Sequence, residues 1–196
     1  MRSKLRLVLI AGVSIVSVLL ASCANVVTPP MNASVKDYDV FLKVSGNPKE
    51  LTFEERGNSK CDNIPSQPKG KFGCVTVVAG NQGSIVFKLT PSSWHVTKMT
   101  ICHGDEKDND NCVLSAEQQQ EFAVTKAGSE TLTLTLIHPG ANGVIDLSRL
   151  PRLNTFTLVD TNYFKADYFY TITACNLSNT ECLDTDPVIS NGGNLN

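Results

Sequence analysis

Three histidines, nineteen carboxylate side chains and seven cysteines are the groups of this 196-residue chain with chemistry beyond packing. His95, His103 and His138 stand beside no nucleophile motif, since the chain holds neither G-x-S-x-G nor H-E-x-x-H. On one unbroken strand His95 and His103 would share a face but lie roughly two dozen ångströms apart, too far to share a ligand. Glu54 and Glu55 could be drawn as an acid pair for glycoside hydrolysis, but adjacent strand residues point to opposite faces. They read as solvated strand charges, and no catalytic residue is expected. The densest oxygen donors are Asp105, Glu106, Asp108, Asn109, Asp110 and Asn111, between Cys102 and Cys112. Calcium takes six to eight oxygens, and Asp105, Asp108 and Asp110 are the residues that would bind it, with Asp108-x-Asp110 echoing the start of an EF-hand loop. The echo then fails, because the required glycine is missing and Gln119 stands where the closing glutamate belongs. The loop reads as a solvated hairpin tip, and no metal or other cofactor is expected. Trp94, the single tryptophan, could stack on a sugar, but a lone Trp in a β-rich chain reads first as core.

The cysteines carry the strongest chemical signal. Apart from Cys23 there are six, Cys61, Cys74, Cys102, Cys112, Cys175 and Cys182, an even set that argues for disulfides in an exported chain. The pairing Cys61–Cys74, Cys102–Cys112 and Cys175–Cys182 is preferred, because each pair brackets a polar, turn-rich stretch between β-like segments. In the chain-entropy picture each such local loop contributes about 2.5 to 3 kcal/mol at most. A metal site or a redox centre would call for C-x-x-C or paired histidines, and neither occurs.

Export is written at the N-terminus. Arg2, Lys4 and Arg6 precede an apolar run from Leu7 to Leu20, short for a membrane span, and small residues follow. The run ends in Leu20-Ala21-Ser22-Cys23, which resembles the lipobox of bacterial lipoprotein precursors. The resemblance implies that residues 1–22 are a signal peptide and that Cys23 is lipidated, palmitate among its acyl chains, and becomes the new N-terminus. Two or more chains anchor a protein stably. Ala24 is not the aspartate that this family associates with inner-membrane retention, so the resemblance places the protein on the outer membrane, its domain facing the periplasm or the surface. Residues 23–36, with Pro29-Pro30, read as the lipidated cysteine and a flexible tether. Without the leader 14 bases face 19 acids, a net charge of −5 that offers nucleic acid no basic surface.

The elements that must position these groups read as strands. Tyr38, Val40, Leu42 and Val44 alternate, as do Ile85, Phe87 and Leu89, and Leu132, Leu134 and Leu136 alternate with Thr131, Thr133 and Thr135. The leucines are expected on one face, with the threonines left to water or a neighbouring sheet. Further strands are expected near 50–55, 74–79, 94–102, 120–125, 155–160 and 168–175, separated by Gly/Asn/Pro/Ser turns, with short helical turns at Ser115–Gln120 and Val144–Leu150. Eight or nine strands without a βαβ rhythm imply an all-β fold, an antiparallel β-sandwich with local disulfides over 37–190, and a flexible tail at 191–196. The segment Ala166–Cys175 resembles the penultimate strand of immunoglobulin-like or fibronectin-like domains. That resemblance gives Tyr168, or else Tyr163, the role of a tyrosine corner.

These readings converge on a membrane-anchored, non-catalytic envelope lipoprotein with an envelope protein as partner. A calcium- or carbohydrate-binding adhesive module and a periplasmic hydrolase are the alternatives.

Overall fold

The computed structural model describes residues 33–61, 71–104, 112–126, 135–150, 152–185 and 188–192. Cys23, the leader, most of the tether, Leu132, Leu134, the acidic residues Asp105, Asp108 and Asp110, and the tail beyond Gly192 lie outside these residues.

Among the described residues the order is β1 (Ser34–Ser45), β2 (Glu50–Gly57), β3 (Val75–Val77), β4 (Asn81–Thr90), β5 (Trp94–His103), α1 (Ala116–Glu121), β6 (Phe122–Lys126), β7 (Thr135–Ile137), β8 (Val144–Asp146), β9 (Thr155–Asp160), β10 (Lys165–Asn176), β11 (Cys182–Thr185) and β12 (Val188–Gly192). One sheet runs β2-β1-β4-β9-β6-β7 and the other β3-β12-β10-β5-β8, with β11 also on β10. The fold is an all-β sandwich. Its sheets are mixed rather than purely antiparallel, because β1 pairs with β4, and β3 with β12, in parallel. A parallel pair needs a long crossover, and here the chain passes through β2 and β3 before returning beside β1. Strand β1 opens at Ser34, so its ladder takes in the last three residues of the expected tether.

Period-two burial builds the core. Val40, Leu42 and Val44 of β1, Ile85, Phe87 and Leu89 of β4, and Tyr168, Tyr170, Ile172 and Ala174 of β10 all face inward. Phe87 stacks on Phe156 at 4.8 Å and meets Tyr170 of the facing sheet edge-on at 5.5 Å. Trp94 belongs to this core, 4% exposed.

The three disulfides form as the spacing suggested, Cys61–Cys74, Cys102–Cys112 and Cys175–Cys182, with Cα separations of 4.9, 5.3 and 4.1 Å. Cys175 and Cys182 face each other across β10 and β11, so this bridge fastens two ladder neighbours.

Three local expectations are corrected. Val144–Leu150 is not a helical turn: Val144–Asp146 is strand β8 on β5, with Ile145 and Leu147 buried two residues apart, and a turn follows in which Asp146 Oδ1 accepts from Ser148 N at 3.0 Å. Leu136 does not face the core. Its neighbour Ile137 pairs with inward-facing Val124, which leaves Leu136 opposite Thr125 on the outer face, 54% exposed. His95 and His103 do not share a face either. The β5–β10 register skips Thr97, and this bulge turns the alternation over, setting His103 opposite inward-facing Tyr168, its ring 5.6 Å away, and His95 opposite Cys175; His95 is buried, and His103, at the strand end, is exposed.

Candidate functional site

Two carboxylic acids meet inside the protein at one end of the sandwich. Glu121 ends α1, and Asp160 ends β9 on the inward phase that Phe156 and Leu158 set; both are 0% exposed. Asn191 of β12 joins them, its Nδ2 donating to Glu121 Oε1 at 2.9 Å and to Asp160 Oδ1 at 3.2 Å.

Local chemistry delivers each group. Ser115 caps α1: its Oγ accepts from Gln118 N at 3.2 Å, while Gln118 Oε1 accepts from Ser115 N at 2.9 Å. The helix gives way at Phe122 to extended backbone, which plants Glu121 between the sheets. At the other corner Asp160 Oδ1 accepts from Asn162 N at 2.7 Å, an Asx turn that holds Asn162 at φ 51°, a left-handed conformation asparagine tolerates. Glu121 Oε1 also accepts from Phe164 N at 3.1 Å, and Tyr168 donates its hydroxyl to Glu121 Oε2. Tyr168 therefore reaches the β9–β10 corner through a carboxylate, rather than by bonding the backbone as a tyrosine corner does. Tyr163 lies half-buried against Phe164.

Burial dominates the electrostatics. It pushes Asp160 well above the usual carboxylate range, and the neighbouring Glu121 charge pushes the same way. Glu121 is also raised by burial, with hydrogen bonds from Tyr168, Phe164 and Asn191 pulling it back. Tyr168 is raised by burial and then by both acids, and Tyr38 by burial and then by Asp160. Asp160 Oδ2 and Asn191 Oδ1 are buried without a hydrogen-bond partner. The partners of the acids are N–H and O–H donors, which favour the charged form against burial, and not the oxygen cage a cation needs. Among the described residues no group of three His, Cys, Asp or Glu side chains is placed to hold a metal.

The residues singled out from sequence are not brought together. His95 is buried with Nδ1 unpartnered, and His138 Nδ1 lies 2.8 Å from Phe122 O. Glu54 pairs with Arg56 at 2.5 Å on the outer sheet face, where Arg56 also covers the Phe41 ring at 4.0 Å. The Glu121–Asp160–Asn191 cluster was missed. The signal that could have found it is an acid, Asp160, on the apolar phase of Phe156 and Leu158.

No family model and no curated protein matches the chain. Among solved structures it is similar to a laccase from Botrytis aclada (TM-score 0.38, 10% identity, 84% of this chain and 29% of that one). It is also similar to the McoA multicopper oxidase of Aquifex aeolicus (TM-score 0.34, 13% identity, 83% and 31%). A third likeness is to the inclusion body protein PixA of Burkholderia cenocepacia (TM-score 0.34, 8% identity, 83% and 99%). The chain spans about three tenths of the length of the two oxidases. Likenesses of this order carry no functional weight.

Proposed function

We propose that the protein is a membrane-anchored, non-catalytic envelope lipoprotein, a structural or protein-interaction module held on the outer membrane by lipid at Cys23. The observation that carries this reading is the ordered series of Arg2, Lys4 and Arg6, the apolar run Leu7–Leu20, and Leu20-Ala21-Ser22-Cys23. Three disulfides support it, since such bonds persist in oxidising compartments outside the cytosol. The enclosed acid pair supports the non-catalytic part: Glu121 and Asp160 are wholly buried, and they bind α1, the β9–β10 corner and β12 to one another instead of facing a substrate. No helix among the described residues is long and apolar enough to cross a membrane.

The test has two parts. Cys23→Ala in the full chain is expected to leave the protein soluble or unprocessed, as read by membrane fractionation and intact mass. A variant cleaved normally yet still fully in the membrane fraction overturns the anchor. Mass spectrometry of proteins cross-linked in intact cells is then expected to recover a specific envelope partner with the lipidated chain and not with the Cys23→Ala chain. Recovery of background alone from both overturns the interaction role.

A further inference from the structure

The end of the sandwich where β1 begins gathers exposed apolar side chains. Val35 is 61% and Val78 58% exposed, and Ala79 is exposed beside Val78. Strand pairing and the turn before β4 bring their backbones to the same end of the sandwich. Strands β1 and β4 start together at Ser34↔Asn81 and Val35↔Gln82, and Asn81 N bonds Val78 O at 3.2 Å across the turn that precedes β4. The β9–β10 corner closes on the same turn, because Asn162 Nδ2 donates to Val78 O at 2.8 Å and to Asn81 O at 3.1 Å. Tyr163 and Phe164 follow directly, half-buried, their rings edge to face at 5.1 Å. Lys36, Asp37 and Lys165 are the exposed charges adjoining these residues in the chain.

We propose that this end is a membrane-contact tip that docks at the headgroup boundary of the bilayer holding the protein. This rests on the lipid-anchor reading and goes beyond it, by naming which face of the domain meets the lipid. The occupant follows from the chain that leads there. Ala33 lies ten residues after Cys23, a reach of about 35 Å at full extension, and the described chain begins at this end, where Ser34 opens β1 opposite Asn81. A lipidated Cys23 therefore holds the tip at a high local concentration of bilayer, so a contact too weak to recruit a free protein is still populated. The side chains suit that zone, with aliphatics and aromatic rings at headgroup depth and lysines beside them. Val35, Val78, Ala79, Tyr163 and Phe164 carry no charge in a protein that, without residues 1–22, has 14 bases against 19 acids and resists close approach to anionic lipid.

The test uses the full acylated chain in phosphatidylethanolamine/phosphatidylglycerol vesicles with brominated acyl chains. Trp94, the single tryptophan, is buried near the opposite end and serves as the reference emitter. Val78→Trp, with Val35→Trp as a second variant should the first not fold, is expected to add emission that brominated lipid quenches at least twofold more than it quenches Trp94 in the unaltered chain. Added emission quenched no more than that of Trp94, in a chain that floats with the vesicles and carries the acyl mass, overturns the tip and leaves the anchor standing. Unquenched emission together with cross-linked dimers assigns the patch to a second copy and overturns the tip as well. A chain without acyl mass overturns the anchor reading and the tip with it.

Discussion

Asp160 is held where its charge is hardest to keep. Its Oδ1 receives two donors and its Oδ2 none, so burial and the nearby Glu121 both favour the protonated form. Asp160 and Glu121 therefore titrate higher in the fold than in the unfolded chain, and folding takes up protons above the unfolded carboxylate range. Their contribution to stability is full below about pH 4 and is lost as pH rises through their folded-state values. Asp160→Asn keeps an acceptor for Asn162 and Asn191 and removes the charge. It is expected to raise the melting temperature at pH 8, by an amount worth on the order of 1 kcal/mol or more, and the gain should shrink toward pH 4 in a pH series of melts. An equal gain at both pH values would show that the buried charge is not the cause. Glu121→Ala has the opposite expected sign, because it strips the acceptor from Phe164 N, Asn191 Nδ2 and the Tyr168 hydroxyl; a loss of about 3 kcal/mol or more in denaturant unfolding is expected. Gly143 sets a different residue-scale constraint. At φ +72° a Cβ would come within 2.1 Å of Ile101 O and 2.6 Å of Cys112 Sγ, so Gly143→Ala should cost about 2 to 3 kcal/mol by the same measurement.

At the scale of elements, α1 is a six-residue helix with little propensity to stand alone, and it exists to turn the chain and deliver Glu121. Ser115→Ala removes its cap and is expected to cost about 1 kcal/mol in chemical denaturation, with faster amide exchange at Gln118. The bridge Cys61–Cys74 is buried in a satellite cluster with Phe169, so replacing both cysteines by alanine should lower stability by about 2 to 3 kcal/mol; an unchanged melting curve would mean that the bridge does not act as a staple. Much of this level was legible in the sequence. The alternations of Val40/Leu42/Val44 and Ile85/Phe87/Leu89 marked real inward faces, and the turn-bracketed cysteines marked their own partners. What alternation could not supply was phase and partner. Leu136 alternates perfectly well, but its phase is set by Ile137 lying opposite Val124. Val144–Leu150 is too short for periodicity to separate helix from strand, and one unmatched residue, Thr97, puts on opposite faces two histidines that an unbroken strand would carry on one. The acid cluster was invisible for a stronger reason. Residues 121, 160 and 191 are joined only by tertiary folding, and Asn191 fell in what composition marked as tail.

At the scale of the whole molecule, the mixed topology gives the domain two unlike ends. One gathers Ser34, the turn 78–81, the corner 161–164 and the acid pair beneath them. The other carries the Lys49–Glu181 ion pair, 2.6 Å long and half-exposed, and the turn around Leu177. Between them β1 lies parallel to β4 through ten consecutive register pairs, from Ser34↔Asn81 to Lys43↔Thr90. That ladder decides how the domain answers a pull. Tension arriving at Ser34 and resisted near Leu177 runs along the strand axis, so the cross-strand bonds share the load and must shear together. Tension resisted at Val78, beside Ser34, opens the same ladder from its end, one bond after another. Single-molecule pulling from the N-terminus is therefore expected to need a clearly higher unfolding force with the second handle at Leu177 than at Val78, and equal forces would show that β1–β4 is not the mechanical clamp. A protein tethered through its first strand and gripped at its far end would be loaded in its stiffest direction.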